Sequence, residues 1–94
     1  MIQIKQAARD DLQKGYLFYE QQKPGLGEYF LESLSAEIDS LVIYAGVHPI
    51  VCSYYFMLAH RFPYAIYYRL DADVICVHAV LDCRRDPQKI IQRL

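Results

Sequence analysis

The stretch from His60 to Pro87 constrains the fold of this chain most strongly. It holds two apolar runs, Phe62–Leu70 and Val74–Leu81, which are separated by the short break Asp71-Ala72-Asp73. Both runs are rich in Val, Ile, Tyr and Phe, residues that fit the pleated surface of a sheet. Two such runs around a short acidic break predict a β-hairpin. The second run is apolar on both faces, which is typical of a central strand covered on both sides.

Two helices are predicted before this hairpin. Apolar residues recur at helical spacing from about Ala7 to Gln22, and the segment Lys23-Pro24-Gly25-Leu26-Gly27 then interrupts the helix. A second helix is predicted from about Leu26 to Ala45, with Gly46 at its C-terminal cap. The expected core-facing residues are Ala8, Leu12, Tyr16 and Tyr19 on the first helix, and Phe30, Leu34, Ile38, Leu41 and Ala45 on the second.

Shorter segments complete the prediction. Ile2 and Ile4 alternate with polar residues, as in a half-exposed edge strand, and Val51–Ala59 indicates another strand. Pro63 predicts a bulge or an unpaired position near the start of the hairpin. The tail Gln88–Leu94 is expected to form one or two helical turns. The chain is therefore expected to form one α+β domain over residues 1–94, with the order β-α-α-β-β-β, in which a helical hairpin packs on an antiparallel sheet and a short helical tail follows.

Composition excludes several classes of function. The net charge of −1 and the pI of about 6.2 give no basic field for wrapping nucleic acid. No apolar run approaches the ~20 residues of a membrane span, and the N-terminus is typical of a strand rather than a signal peptide. We therefore expect a cytoplasmic protein.

No metal or other cofactor is expected. The three cysteines, Cys52, Cys76 and Cys83, lack C-x-x-C spacing and predict neither a disulfide framework nor a zinc site. His48 and His60 lack ligand-like spacing to His78. His78, inside the second apolar run, is interpreted as a hydrogen-bonded core residue rather than a catalytic one.

Four arginines around the predicted sheet are the candidate binding residues: Arg61, Arg69, Arg84 and Arg85. The planar guanidinium suits phosphate or carboxylate partners. The alternative is that these arginines only pair with nearby aspartates at the strand ends. Tyrosines 54, 55, 64, 67 and 68 could stack nucleic-acid bases, but the two faces of a pleated sheet account for them better.

Four motifs along the chain resemble a known family. They are DLxxGYxFYExQ, GLGxYFLxSL, RFPYAIYY and AVLDCRRDP, and together they extend over nearly the whole sequence. The chain resembles the ParE branch of the RelE/ParE toxins of type II toxin–antitoxin systems, which include plasmid stabilisation proteins. The resemblance implies a small toxin that a cognate antitoxin holds inactive by wrapping it with its C-terminal segment.

Two mechanisms occur in this superfamily. RelE-type members cleave mRNA in the ribosomal A site, using lysines and arginines on the sheet and a tyrosine in the C-terminal tail. ParE-type members poison DNA gyrase by binding. RelE-type members resemble Tyr-Arg-hydrophobic-hydrophobic-Tyr on the middle strand. Here Tyr64 and Tyr68 match this pattern, but Ala65 occupies the position of the arginine. The preceding strand of RelE-type members carries lysines, whereas Tyr54–Ala59 contains no cation. An arginine after the last strand is present, whereas the tail Gln88–Leu94 contains no tyrosine.

Metal-free RNA cleavage needs a base and cations for the developing phosphorane, and most of these residues are missing. The resemblance therefore favours a toxin that inhibits gyrase by binding. Arg84 and Arg85 are the expected target- or antitoxin-facing charges, and Arg61 is secondary. All four arginines, Arg69 included, would serve the interferase alternative. Two alternatives stay open: a ribosome-dependent mRNA interferase, and a degenerate, non-toxic family member. The oligomeric state stays open between a homodimer and a heterotetramer with the antitoxin.

Overall fold

The structure, a computed structural model, describes residues 1–94 and confirms the α+β class. The two long helices pack on one face of a five-stranded sheet. None of the helices combines the length and the apolar character needed to cross a bilayer. The elements are β1 Ile2–Ile4, α1 Gln6–Gln22, α2 Leu26–Asp39, α3 Leu41–Tyr44, β2 Ile50–Val51, β3 Tyr54–Leu58, β4 Tyr64–Asp71, β5 Val74–Asp82 and α4 Pro87–Arg93. The strand order in the sheet is β1-β5-β4-β3-β2.

The predicted hairpin forms the centre of the sheet. β4 and β5 pair antiparallel from Tyr64↔Asp82 to Asp71↔Val74. Pro63 lies just before β4 and outside the ladder, and its carbonyl oxygen accepts a hydrogen bond from the Cys83 N–H at 2.7 Å. The ladder's one irregularity falls between Tyr67 and Tyr68 instead.

The sheet is mixed, which corrects the expectation of a wholly antiparallel one. β1 pairs parallel with β5, in the register Ile2↔Ile75 to Ile4↔Val77. β5 is a central strand with a hydrogen-bonding neighbour on each side, and it is buried along most of its length. The short N-terminal strand β1 pairs with the edge of β5 that does not pair with β4.

The segment Val51–Ala59 is two strands rather than one. β2 and β3 are joined by a tight turn at Cys52 and Ser53, whose φ angles are 51° and 69°. Two consecutive left-handed residues are the geometry of a type I′ hairpin turn, which glycine and asparagine usually occupy. The sequence lacks that signal, so the turn could not be recognised from it.

The predicted second helix is interrupted at Ser40, where α2 ends and the short α3 begins. The Ser40 hydroxyl donates to the Glu37 carbonyl at 2.6 Å, so this side chain bonds the helical backbone that precedes it. Gly46 follows α3 with the left-handed φ of 97° that its predicted place suggests, but Ala45 caps the helix, and the Gly46 N–H donates to the Tyr68 hydroxyl instead of a helix carbonyl.

An aromatic cluster joins the two long helices to the start of β4. The Phe30 ring lies 5.1 Å from the Phe62 ring and 4.9 Å from the Tyr64 ring, measured between centroids, and the Tyr19 ring lies 4.8 Å from Phe62. All four side chains are buried. Burial disfavours the charged tyrosinate and raises the pKa of Tyr64 to about 12.

The buried stripe of α1 differs from the prediction at two places, because Asp11 and Gly15 are buried whereas Leu12 and Tyr16 are only partly so. The Asp11 carboxylate accepts a hydrogen bond from the Val80 N–H at 3.0 Å and one from the Arg93 guanidinium at 2.6 Å. This partly buried ion pair connects α4 to α1 across the end of the sheet, and Ile90 of α4 packs on the face opposite α1 and α2.

We expect Gly15→Ala to destabilise the fold, although alanine is the better helix former. A Cβ at position 15 would lie 2.4 Å from the Phe30 Cζ atom, so the ring must move within a packed core. Overpacking of this kind costs about 1–3 kcal/mol. Denaturant unfolding measures the loss, with the exposed Gln13→Ala on the same helix as control. Equal stabilities of the two variants would contradict the close approach.

We expect the free energy of unfolding to fall as the pH rises from about 10 to about 12. A tyrosine ordinarily has a pKa of about 10, and the folded chain holds the Tyr64 proton up to about 12, so the unfolded state loses its proton first. Denaturant unfolding at stepped pH measures the fall. Tyr64→Phe should reduce it, whereas Tyr44→Phe, at an exposed ring, should not. A fall of the same size in both variants would refute the assignment to Tyr64.

Candidate functional site

The four candidate arginines do not form one cluster. Arg84 and Arg85 lie in the turn between β5 and α4, and Arg61 lies just before β4 at the same end of the sheet. Arg69 lies near the opposite end of β4, paired with Cys76. The structure therefore places three of the four at one end of the sheet, with Arg61 and Arg85 at separate depressions, and the fourth toward the other end.

Arg84 is held rigidly at the end of β5. Its Nε and Nη2 atoms donate to the two oxygens of Asp82 at 3.0 and 2.7 Å, and its backbone N–H donates to the same carboxylate at 2.8 Å. The hydrogen bonds from Arg84 lower the pKa of Asp82, and those to Asp82 raise the pKa of Arg84. The side chain of Arg84 is nevertheless 59% exposed. A two-point ion pair thus presents a fixed guanidinium to a partner.

Arg85 lies beside a shallow depression of about 200 Å³ between α1 and the end of β5. Lys14 and the half-exposed Phe18 line its α1 side, and Asp11 and Asp82 contribute carboxylates. Arg85 makes no side-chain hydrogen bond within the chain. Two cations and an exposed ring are therefore available next to the anchored Arg84. Lys14 and Phe18 could not be singled out from the sequence, because each is an ordinary residue on the outer side of a helix.

Arg61 lies at a groove of about 370 Å³ between α2 and the loop before β4. Its Nη1 atom donates to the Tyr29 hydroxyl at 3.0 Å, and its guanidinium carbon lies 5.7 Å from the centre of the Tyr29 ring. Further along the groove, His60 pairs with Glu37. Tyr29 is the residue that sequence reasoning missed here; it lies within the GLGxYFLxSL motif but outside the predicted core stripe.

Arg69 belongs to the face of the sheet opposite α1 and α2. Its Nε atom donates to the Ser53 carbonyl at 3.3 Å, and its guanidinium carbon lies 4.0 Å from the centre of the Tyr54 ring. Tyr54 stacks in turn on His78, with the ring centres 4.6 Å apart. Burial lowers the pKa of His78, as do the charges of Arg93, Arg69 and Lys5. Arg69 is thus hydrogen-bonded to the β2–β3 turn. It does not join Arg84 and Arg85 in the turn that follows β5, which we call the arginine turn.

The two tyrosines of the ribonuclease-like pattern lie on the helix-covered face. Tyr64 and Tyr68 are 8% and 0% exposed, and the Tyr68 hydroxyl accepts the Gly46 N–H at 2.9 Å. Ala65 lies on the other face, packed with Leu81 in the second core cluster. Tyr64 lines the depression beside Arg85, whereas Tyr68 and Ala65 do not line it. No group of three His, Cys, Asp or Glu side chains is placed to hold a metal ion.

Comparison with known proteins assigns the family. Residues 2–87 match the family described as "ParE toxin of type II toxin-antitoxin system, parDE". Among solved structures, the chain is similar to one titled "Chromosomal ParDE TA system from P. aeruginosa", with a TM-score of 0.77 and 17% sequence identity over 84% of this chain and 90% of that one. A search of curated proteins gives no match. The fold and the family match agree, and the chain belongs to the ParE toxin family of type II toxin–antitoxin systems.

Proposed function

We propose that this chain inhibits DNA gyrase by binding, and that a cognate antitoxin neutralises it. Membership of a type II toxin–antitoxin family implies an antitoxin partner and supports the toxin role. The observation that carries the binding mechanism is the turn after β5, where Asp82 holds Arg84 in a fixed, exposed orientation beside the unpaired Arg85.

The surroundings of the turn suit a protein partner with acidic and apolar side chains. The positively charged side chains of Arg85 and Lys14 form no ion pair within the chain, and the ring of Phe18 is half-exposed beside them. Arginine and aromatic residues are the types enriched where binding energy concentrates in protein interfaces. Because Arg84 is already ordered by Asp82, a partner binds it with little further loss of side-chain entropy.

The burial of the tyrosines supports binding over RNA cleavage, even though Tyr64 lines the depression beside Arg85. An mRNA interferase needs its general base and its cations within hydrogen-bond reach of one phosphate. Tyr64 and Tyr68 are buried under the helices, and burial raises the pKa of both, which works against a role as base. Arg69 and Arg84 lie at different ends of the sheet, so no single phosphate reaches both.

The antitoxin contact is proposed to include the groove at Arg61. The groove lies between α2 and the loop before β4, and it continues past His60 and Glu37 toward Tyr44. Arg61 is exposed there and is oriented by the Tyr29 hydroxyl. Since Arg61 lies at the same end of the sheet as Arg84 and Arg85, an antitoxin bound in the groove would reach the arginine turn and cover it.

A supercoiling assay with purified gyrase tests the proposal. The full chain, freed from its antitoxin, is added to gyrase, ATP and relaxed plasmid. Loss of supercoiling together with accumulated cleaved DNA is the expected result, and added antitoxin should reverse it. A folded chain that leaves supercoiling unchanged would refute gyrase inhibition; codon-positioned mRNA cuts after induction in cells would then indicate the interferase.

We expect Arg84→Ala with Arg85→Ala to weaken inhibition while leaving the chain folded. Hydrogen bonds to charged groups contribute about 1.5–3 kcal/mol each, so half-maximal inhibition should need at least roughly tenfold more protein. Lys89→Ala, which removes an exposed cation from α4, is the matched control and should change little. Circular dichroism checks folding. A double variant as potent as the unchanged chain would remove these arginines from the binding surface.

A further inference from the structure

His78 is the one residue of β5 that has no pairing partner in β4. Two consecutive β4 residues pair with Ala79 and Val77, so His78 is the extra residue of a β-bulge. A bulge redirects the side chain it carries, and bulges are frequent next to active sites. The half-buried His78 ring stacks on Tyr54, on the sheet face opposite α1 and α2. The bulge thus places a titratable ring on a face that the two long helices do not cover.

Two cations lie near this ring without a carboxylate partner. Lys5 follows β1, and its backbone N–H donates to the Val77 carbonyl at 3.0 Å, so Lys5 lies next to the bulge. Arg69 pairs with Cys76, two residues from His78 along β5. Lys5 and Arg69 are both exposed, and neither forms an ion pair within the chain. Their charges are therefore available to a ligand.

A third cation, Arg93 of α4, is already neutralised. Its Nη2 atom donates to the Asp11 carboxylate at 2.6 Å. Burial lowers the pKa of His78, and the charges of Arg93, Arg69 and Lys5 lower it further, so the ring lies within the field of all three cations. The surroundings of His78 therefore carry excess positive charge, although the net charge of the whole chain is −1.

Neighbouring groups hold Arg69 in place and leave part of its guanidinium free. The guanidinium carbon lies 4.0 Å from the centre of the Tyr54 ring, and Nε donates to the Ser53 carbonyl at 3.3 Å. The same Tyr54 ring lies 4.6 Å from the His78 ring. Asp71, two residues further along β4, forms no ion pair with Arg69. The terminal nitrogens of Arg69 can therefore donate to an acceptor outside the chain.

A phosphate group fits these donors better than a carboxylate. Lys5, Arg69 and His78 belong to three separate segments of the chain, so their side chains reach the site from different directions. A planar carboxylate is satisfied by the fork of a single arginine, whereas a tetrahedral phosphate offers oxygens to several separate donors. A phosphomonoester carries about −1.5 to −2 charges at pH 7, which balances two unpaired cations.

We propose that the sheet face opposite α1 and α2 binds a phosphate group between Lys5, Arg69 and His78. The bulge positions the imidazole, and the two unpaired cations supply the charge. The proposal does not depend on gyrase as the target, because Arg69 lies toward the end of β4 that is remote from the arginine turn.

Nuclear magnetic resonance of the full 94-residue chain tests the proposal. The carbon-bound ring protons of the three histidines are followed while sodium phosphate is added at constant pH and ionic strength. The His78 signals should shift and saturate. The signals of His48, which is hydrogen-bonded to Tyr68, and of His60, which is paired with Glu37, should shift little.

A double variant, Lys5→Gln with Arg69→Gln, removes both unpaired cations. Both positions are exposed, so the fold should survive, which circular dichroism checks. The dissociation constant for phosphate should rise at least roughly tenfold, because hydrogen bonds from two charged donors are lost. Lys23→Gln removes an exposed cation beyond the opposite end of α1 and is the matched control, which should bind phosphate like the unchanged chain.

Two further ligands identify the source of the phosphate group. ATP stands for a free nucleotide, and a short DNA duplex stands for a nucleic-acid backbone. Tighter binding of ATP than of inorganic phosphate supports a nucleotide at this site, and tighter binding of the duplex supports a backbone phosphate. In either case the double variant should weaken binding.

Two results would overturn the proposal. In the first, the His78 signals shift without saturation, or the signals of His48 and His60 shift by the same amount, so that phosphate acts on the whole surface. In the second, the folded double variant binds phosphate as tightly as the unchanged chain.

Discussion

The packing of Phe30 against Gly15 is the contact on which the rest of the structure depends. The ring lies where α1, α2 and the start of β4 meet, and a glycine on α1 is what allows it to approach. Tyr19, Phe62 and Tyr64 surround the same ring, so the helical hairpin, the loop before β4 and the first ladder pair of the central hairpin share one core. Tyr64 is paired with Asp82, which holds Arg84. The aromatic cluster thus supports the arginine turn through a single pair of neighbouring strands.

This arrangement separates two kinds of surface. The end of β5 carries guanidinium groups, one of them fixed by a carboxylate and one without a partner in the chain. The opposite region, from α3 to β2, carries only uncharged side chains over a stretch that begins after Asp39. Charge governs the steering and specificity of a protein contact, whereas apolar area supplies much of its driving force. A toxin of this family can therefore present a charged surface to one partner while an apolar surface is occupied by another.

Much of the fold follows from the sequence because its strongest signals are local. Periodicity and turn chemistry agree with the β4–β5 hairpin, with both long helices and with the left-handed backbone at Gly46. What could not be predicted depends on contacts between distant segments. Nothing in Ile2–Ile4 indicates that it pairs parallel with β5 rather than antiparallel, and Cys52-Ser53 lacks the residues that usually mark a type I′ turn. Asp11 could not be predicted as buried, because its partners, Arg93 and the Val80 N–H, are far away in sequence.

The candidate site shows the same limit. Arg84 and Arg85 were recognisable as a pair because they are adjacent in sequence. Strand register decides the rest: it places Arg61 at their end of the sheet and Arg69 toward the other end. The neighbours Lys14, Phe18 and Tyr29 come from helices that are far away in sequence, so no motif contains all of them with the arginines.

Amide hydrogen exchange of the chain with and without purified gyrase tests the central claim most directly, because it maps the surface that the enzyme covers. We predict that bound gyrase slows exchange at residues 82–86 and along the facing turn of α1 near Lys14 and Phe18. Exchange within residues 42–51 should be unaffected by gyrase. Slowed exchange confined to residues 42–51, or no slowing under conditions in which the chain inhibits supercoiling, would contradict the assignment of the arginine turn as the target-binding surface.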